Sequence, residues 1–400
     1  MVQGQLLLAG QILEVGSMRV LALLLLMIGL ATPGYAAKKV SVAQLEQTIA
    51  AARVKTDAKA AEQLYGLELT ERLSAARLAS GQADLPGPLA RQALLAMADA
   101  SAFLDLPAAD IPDTLAPDQA QQSAIWNKAL DYANKKVSRL PNFFATRDTI
   151  NFADTPSEPP RDQTDTIHYE PLHEVGSSSI TVLYRDGHEF VDKATSRHTN
   201  VIPSEFELGT DAAFGSALAT VLADSAPGGP AWSHWEQGPA GLMAVFRYEV
   251  AQKTSHYAVT FPGPKRDMHL LPAYHGEIGI NPANGSILRL TMVAELKPND
   301  PGTKVDLLVD YGAVEIGGGT YICPVKSVAY SLVRRVRVDS NSMDGEQDVR
   351  GPLQSRVNDV VFSKYHLFRA EMRILPEGAE TDGQGPASTH AQAPATQPNL

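Results

Sequence analysis

Cysteine occurs once in the 400 residues, at Cys323, so no intramolecular disulfide can form and stability has to come from packing. Its setting, Tyr321-Ile322-Cys323-Pro324-Val325, is strand-like and reads as a small hydrophobe in a sheet rather than a reactive thiol. Positive charge is in deficit: 34 Lys and Arg stand against 45 Asp and Glu, for a net charge of -11. Such a surface repels a phosphate backbone and excludes a nucleic-acid partner. Motifs of common catalysis are absent too. There is no Gly-rich phosphate loop, no His-Glu-x-x-His helix, no nucleophile elbow and no zinc-type cysteine pair.

The composition itself, 44% hydrophobic with 20% charged residues, is that of an ordinary globular protein. From Met18 the chain reads Met-Arg, an apolar run from Val20 to Ala31, then Thr32-Pro33-Gly34-Tyr35-Ala36. These are the three regions of a secretory signal, with small residues at -3 and -1. The run of about a dozen residues is too short for a bilayer core that needs about 20, so no transmembrane span is expected in the mature protein. The expectation is a signal peptide over 1–36, with Met18 as an alternative start, and an exported protein in the periplasm or outside the cell. Roughly 340 residues then remain for folding, and two domains are the default.

From 37 to about 150 the apolar period is helical. Ser41 and Gln44 form a capping box before Val42, Leu45 and Ile49, and Thr70 is positioned to cap a helix carrying Leu73. Gly87-Pro88 opens another bearing Leu89, Leu94 and Leu95, and 117–137 is a fourth with Ile125, Ala129 and Tyr132 on one stripe. Residues 151–175, rich in Pro, Asp and Thr, read as a linker.

From 176 to 375 the period changes to two. Ile180, Val182 and Tyr184 lead to the turn residues Asp186-Gly187, and Phe246, Tyr248 and Val250 alternate with polar neighbours. Asn281-Pro-Ala-Asn284-Gly285 turns into Leu288, Leu290 and Met292, and Gly317-Gly318-Gly319 separates two further strands as a turn, without the Lys and helix of a phosphate cradle. This pattern predicts an α+β protein: an N-terminal helical domain, then a mostly antiparallel curved sheet, an open half-barrel, with one apolar face. A helix at 212–223, with Phe214, Leu218 and Leu222 on its stripe, is placed to cover that face. Residues 376–400 lack periodic apolar positions and read as a disordered tail.

The segments Thr70-Glu-Arg-Leu-Ser74, Ala98 to Leu104, Leu140-Pro-Asn-Phe-Phe-Ala-Thr-Arg-Asp148, Tyr274 to Ile280, Val309-Asp-Tyr311 and Tyr365-His-Leu-Phe368 resemble secreted hypothetical proteins of acidobacteria. That resemblance implies envelope location and architecture, not chemistry. The second half, with its strand, Asn-Pro-x-x-Gly turn and strand rising into Leu-Arg-Leu, is more remotely similar to the half-barrels of lipoprotein carriers and related lipid-binding envelope proteins. It implies a sheet that encloses acyl chains.

Candidate chemistry is sparse. His269 and His275, with Asp267 and Glu277, come nearest to a metal constellation, but a spacing of six across strand and loop does not set tetrahedral geometry, and no metal or cofactor is expected. His173-Glu174 and His188-Glu189 are adjacent in strands and so point to opposite faces. Trp232 and Trp235 read as packing residues, and Arg334-Arg335-Val336-Arg337 as a solvated strand face. The residues expected to line an apolar ligand site are Phe246, Tyr248, Leu288, Leu290, Met292 and Phe368, each on the apolar side of its strand. The leading functional expectation is a non-catalytic envelope protein binding a lipid or other apolar ligand in a curved sheet. The alternative is a structural or protein-interaction module, with an envelope protein as partner, whose sheet face is filled by its own side chains. A periplasmic hydrolase using His269 or His275 is the third reading.

Overall fold

The computed structural model describes residues 37–136, 139–155, 170–186, 188–198, 216–239, 241–261, 266–339 and 347–368. The expected leader, the tail beyond 375, Phe214, Gly187 and the side chains of Arg335 and Arg337 lie outside the described residues.

The first layer is helical. Strands β1 (Lys38–Val40) and β2 (Leu67–Leu69) pair in parallel and bracket α1 (Val42–Ala52) and α2 (Asp57–Tyr65). Helices α3 (Ala75–Asp84) and α4 (Pro88–Ala100) follow. The Ser41 capping box forms as the spacing predicts: Gln44 N–H donates to Ser41 Oγ at 3.3 Å and Ser41 N–H to Gln44 Oε1 at 3.0 Å. Thr70 does not cap a helix. Its hydroxyl donates to Val40 O, because the chain is still leaving β2, and helix α3 starts later with Ser74 at the N-cap position. Helix α4 is capped from elsewhere: the Asp57 carboxylate accepts from Leu89 N and Ala90 N at 3.0 and 2.8 Å, placing negative charge at the helix's positive end. A Cβ on Gly87 would collide with that carboxylate, so only glycine fits ahead of Pro88. Val42, Leu45, Ile49, Leu64, Leu94 and Met97 close a small core between these helices.

The second layer is one open antiparallel sheet of ten strands in the order β5-β4-β3-β14-β13-β12-β11-β10-β7-β6. Its members are β3 (Phe143–Thr155), β4 (Glu170–Arg185), β5 (His188–His198), β6 (Ala231–Gly238), β7 (Gly241–Val250), β10 (Ala273–Ile280), β11 (Ile287–Glu295), β12 (Gly302–Ile316), β13 (Gly319–Asp339) and β14 (Gln347–Leu367). A small hairpin of β8 (Val259–Phe261) and β9 (Met268–Leu270) is inserted between β7 and β10. The fold class is therefore α+β with a mostly antiparallel open sheet. Gly317 and Gly318 both take positive φ, 61° and 86°, and close the β12–β13 hairpin as the two-residue turn that strand twist favours.

The sheet begins earlier than the change of period indicates. Strand β3 runs across residue 150 to Thr155 and β4 starts at Glu170, so both ends of the expected 151–175 linker belong to strands. The sequence hides β3 because its residues after Ala145 are mixed: Arg147, Thr149 and Asn151 face one side and Asp148 and Ile150 the other, with β14 and β4 supplying the pairing.

Strands β5 and β6 are consecutive in the sheet's chain order yet stand at opposite edges, about 43 Å apart along nine spacings of about 4.8 Å. The connection between them contains α6 (Ser216–Ser225), which packs on one face, here called inner, through Ala217, Leu218 and Val221. This described part overlaps the expected 212–223, and of the expected stripe Leu218 is buried and Leu222 packs at the edge of the core, with Ala217 and Val221 buried beside them. Helix α5 (Gln119–Lys136) packs on the same face through Ile125 and Ala129 and rests directly on the β10–β11 turn, where a Cβ on Gly285 would collide with Lys128 O. Helix α4 packs on the opposite, outer face, where Ala96 meets Phe152, Leu308, Val328 and Val357. The helices thus do not form one block: four precede the sheet on its outer side and α5 crosses to the inner one.

Candidate functional site

The expected ligand face divides between the two sides of the sheet. Phe246, Tyr248, Leu290 and Met292 point into the inner core beside Tyr274, Ile278, Ile280 and Ile287. Leu288 does not. A β-bulge between Gly279 and Ile280 sets Gly279 opposite Arg289 and Ile280 opposite Ile287, leaving Leu288 as the extra residue. Strict alternation fails there, and Leu288 joins Met243 and Val245 on the other face. Phe368 stacks edge-on against Phe144 at 5.3 Å, outside the inner core, because Tyr365 and Leu367 take the inward positions ahead of it.

The inner face is covered by the chain's own side chains. Phe246 lies between Trp126 of α5 and Trp232 of β6, with ring centroids 6.2 and 5.6 Å away, and Trp232 meets Trp235 edge-on at 4.9 Å. Exposures of 1–3% at Phe246, Tyr248, Leu290 and Met292 leave almost none of these side chains open to water. Tyr248 extends across Gly276 to donate to Thr291 O at 2.6 Å, while Thr291 Oγ1 accepts from Glu277 N at 2.8 Å. These side chains fill a gap in the β10–β11 ladder, and a Cβ at Gly276 would block the Tyr248 hydroxyl. Cys323 is fully buried in the same core, and burial pushes its thiol up to about 12.

The histidines singled out by sequence stay apart in role. His269 Nδ1 lies 2.9 Å from Thr260 Oγ1 within the β8–β9 hairpin, and His275 Nδ1 lies 3.2 Å from Glu295 Oε1 on an exposed part of β10. His173 Nδ1 is 2.8 Å from Pro171 O, and Glu189 pairs with Arg147 at 3.1 Å. Among the described residues no group of three or more His, Cys, Asp or Glu is arranged to hold a metal ion.

Three polar clusters were not anticipated. Asp224, buried at the end of α6, accepts from His256 N at 2.8 Å and Tyr274 OH at 2.9 Å, and its Oδ1 lies 2.6 Å from His256 Nδ1. Burial alone would raise the Asp224 carboxyl, but those hydrogen bonds outweigh it and hold it below the usual range. On the outer face Glu236 binds Arg72 at 2.6 Å and also Arg289, which in turn holds Asp310 at 2.8 Å. Glu236 is pushed down to about 2: burial opposes ionisation, and His234 at 3.7 Å with the two guanidiniums overcomes it. Lys326 lies 2.7 Å from Asp99 of α4 and 3.0 Å from Asp359 of β14. Strand parity marks Asp310, Lys326 and Asp359 as the polar side of their strands, and the docked helical layer leaves Asp359 buried and Asp310 and Lys326 half-buried.

Fold and geometry define an α+β protein with an open ten-stranded sheet held between two helical covers. Compared with known proteins, the chain matches no family model and no curated sequence. No helix among the described residues is long and apolar enough to cross a membrane.

Proposed function

We propose that this is an exported, non-catalytic envelope protein acting as a structural or protein-interaction module, with its sheet filled by its own residues. The observation that carries this reading is the 1–3% exposure of Phe246, Tyr248, Leu290 and Met292, the positions an acyl chain would have to touch. An apolar face in water costs roughly 25 cal/mol per Å², and here Trp126, Trp232, Ala129, Leu218 and Val221 already relieve that cost. The inner core and the outer patch around Ala96 and Phe152 are both covered by helices, so a partner would meet the edges, the helical covers or exposed strand positions such as Phe190 and Val361. Export rests on the leader pattern at Met18 to Ala36.

Native mass spectrometry of protein taken from the cell envelope, with titration of a fluorescent fatty acid, tests the reading. The expected result is ligand-free protein and no saturable binding. A lipid bound one to one and displaced by the probe would replace it with the carrier reading. That second reading has one observation in its favour: α5 fully buries only Ile125 and Ala129 of its 18 residues, so little apolar contact resists its displacement from the inner face.

A further inference from the structure

The outer face carries buried charge where the helical layer docks, and that charge does not balance. Arg72, Arg289 and Lys326 meet Glu236, Asp310, Asp99 and Asp359 in two adjoining clusters, joined where Asp310 and Lys326 stand opposite each other on β12 and β13. Among the described residues of these clusters three cations stand against four carboxylates, an excess of one negative charge, and at Asp99 and Asp359, with side chains 4% and 5% exposed, an uncompensated charge is costly. We propose that a proton held on Asp99 supplies the missing charge, making the docking of the helical layer on the sheet a pH-sensitive clamp.

The geometry around Asp99 locates the proton. Its side chain is 4% exposed, and Oδ1 accepts from Lys326 Nζ at 2.7 Å. Among the described residues its other oxygen, Oδ2, has no donor, and Asp359 Oδ1 has only the off-angle ammonium at 3.0 Å. Two carboxylate oxygens that can only accept are thus left short of donors, and one proton turns Asp99 into a donor. Among the described residues the charged groups facing Asp99 are Lys326 from β13, Asp359 from β14 and Asp310 from β12. Glu174 of β4 binds Gln92, two turns away along α4, and His234 sits beside Glu236 in the far cluster. Burial first, then the neighbouring Asp359, raises the Asp99 carboxyl to about 7 against the pull of Lys326.

The sign follows from linkage. A carboxyl whose pKa is higher folded than unfolded keeps its proton in the native state while the unfolded chain gives it up, so stability falls as pH rises from about 4 to about 7 and is level above. Deprotonation at the upper end leaves α4 facing an excess of buried negative charge, and the interface with β13 and β14 loosens.

The test is chemical denaturation of the full chain, wild type and Asp99→Asn, between pH 5 and pH 8.5. Asparagine reproduces the neutral acid, so its folding constant relative to wild type is expected to rise about tenfold per pH unit up to about pH 7 and then to level off. A ratio independent of pH overturns the proposal. So does a stability that responds to added calcium or sodium at fixed pH while the ratio stays flat, since a cation would then supply the charge. Should Asp99→Asn fail to fold, the infrared carbonyl band of a protonated carboxyl, followed in an Asp306→Asn background, decides. It must be present at pH 6 and lost by pH 8.5; its absence at pH 6 overturns the proposal equally.

Discussion

The two faces of the ten-stranded sheet satisfy burial in opposite ways. The inner face under α5 and α6 is filled by volume: aromatic rings at Phe143, Trp126, Phe246, Tyr274 and Tyr365, and aliphatic groups between them. The outer face under α4 has a smaller apolar patch around Ala96, Phe152, Leu308 and Val357, flanked by the Arg72–Glu236–Arg289–Asp310 and Asp99–Lys326–Asp359 clusters. Apolar packing tolerates neighbours of about the right size, whereas buried ion pairs demand specific partners and so set where a layer docks. The inner face therefore stabilises the sheet, and the outer face fixes the register of the helical layer upon it.

The largest effect is expected at Leu290→Asp, which buries an unpaired carboxylate where the side chain is 1% exposed. It should cost about 4 kcal/mol or more and threaten folding outright. Urea denaturation checks it. A folded variant of near-normal stability would mean that the inner face is a ligand surface rather than a core. Next, Glu236→Leu removes the shared partner of Arg72 and Arg289. Breaking a buried pair from one side costs about 3–5 kcal/mol. Limited proteolysis should then release the helical layer before the sheet, and simultaneous cleavage in both would erase the distinction between the faces.

Gly285→Ala tests the contact of α5 with the inner side. Glycine there has φ +77° and lies against Lys128 O, so alanine adds backbone strain and pushes α5 outward, for about 1–3 kcal/mol. Quenching of Trp126 fluorescence by iodide should increase; unchanged quenching would mean that α5 is not seated by this turn. The smallest expected change is a gain. Burial raises the Asp306 carboxyl to about 6, and its Oδ1 has no donor among the described residues. Stability from this group falls as pH climbs from about 4 to about 6, so Asp306→Asn should stabilise by about 1–2 kcal/mol at pH 7.5 and have little effect at pH 4. Thermal unfolding at the two pH values measures it.

Local patterns carried much of the architecture. The capping box at Ser41, the Gly87-Pro88 helix start, the double-glycine turn at 317–318 and the alternation through Ile180, Val182 and Tyr184 all express backbone preferences that need no distant partner. Those features suffice for an α+β chain with helices first and an antiparallel sheet after. Long-range pairing decided the rest. Strand β3 is a strand because β14 and β4 flank it, and Leu288 leaves the inner face because a bulge against β10 shifts parity by one. The split of the helices between two faces follows from contacts between residues more than a hundred positions apart, such as Asp99 with Lys326 and Arg72 with Glu236. A polar residue on the outward side of a strand reads the same in sequence whether water or a helix covers it. Only the docked layer removes the water, and with it the proton balance of Asp99 changes.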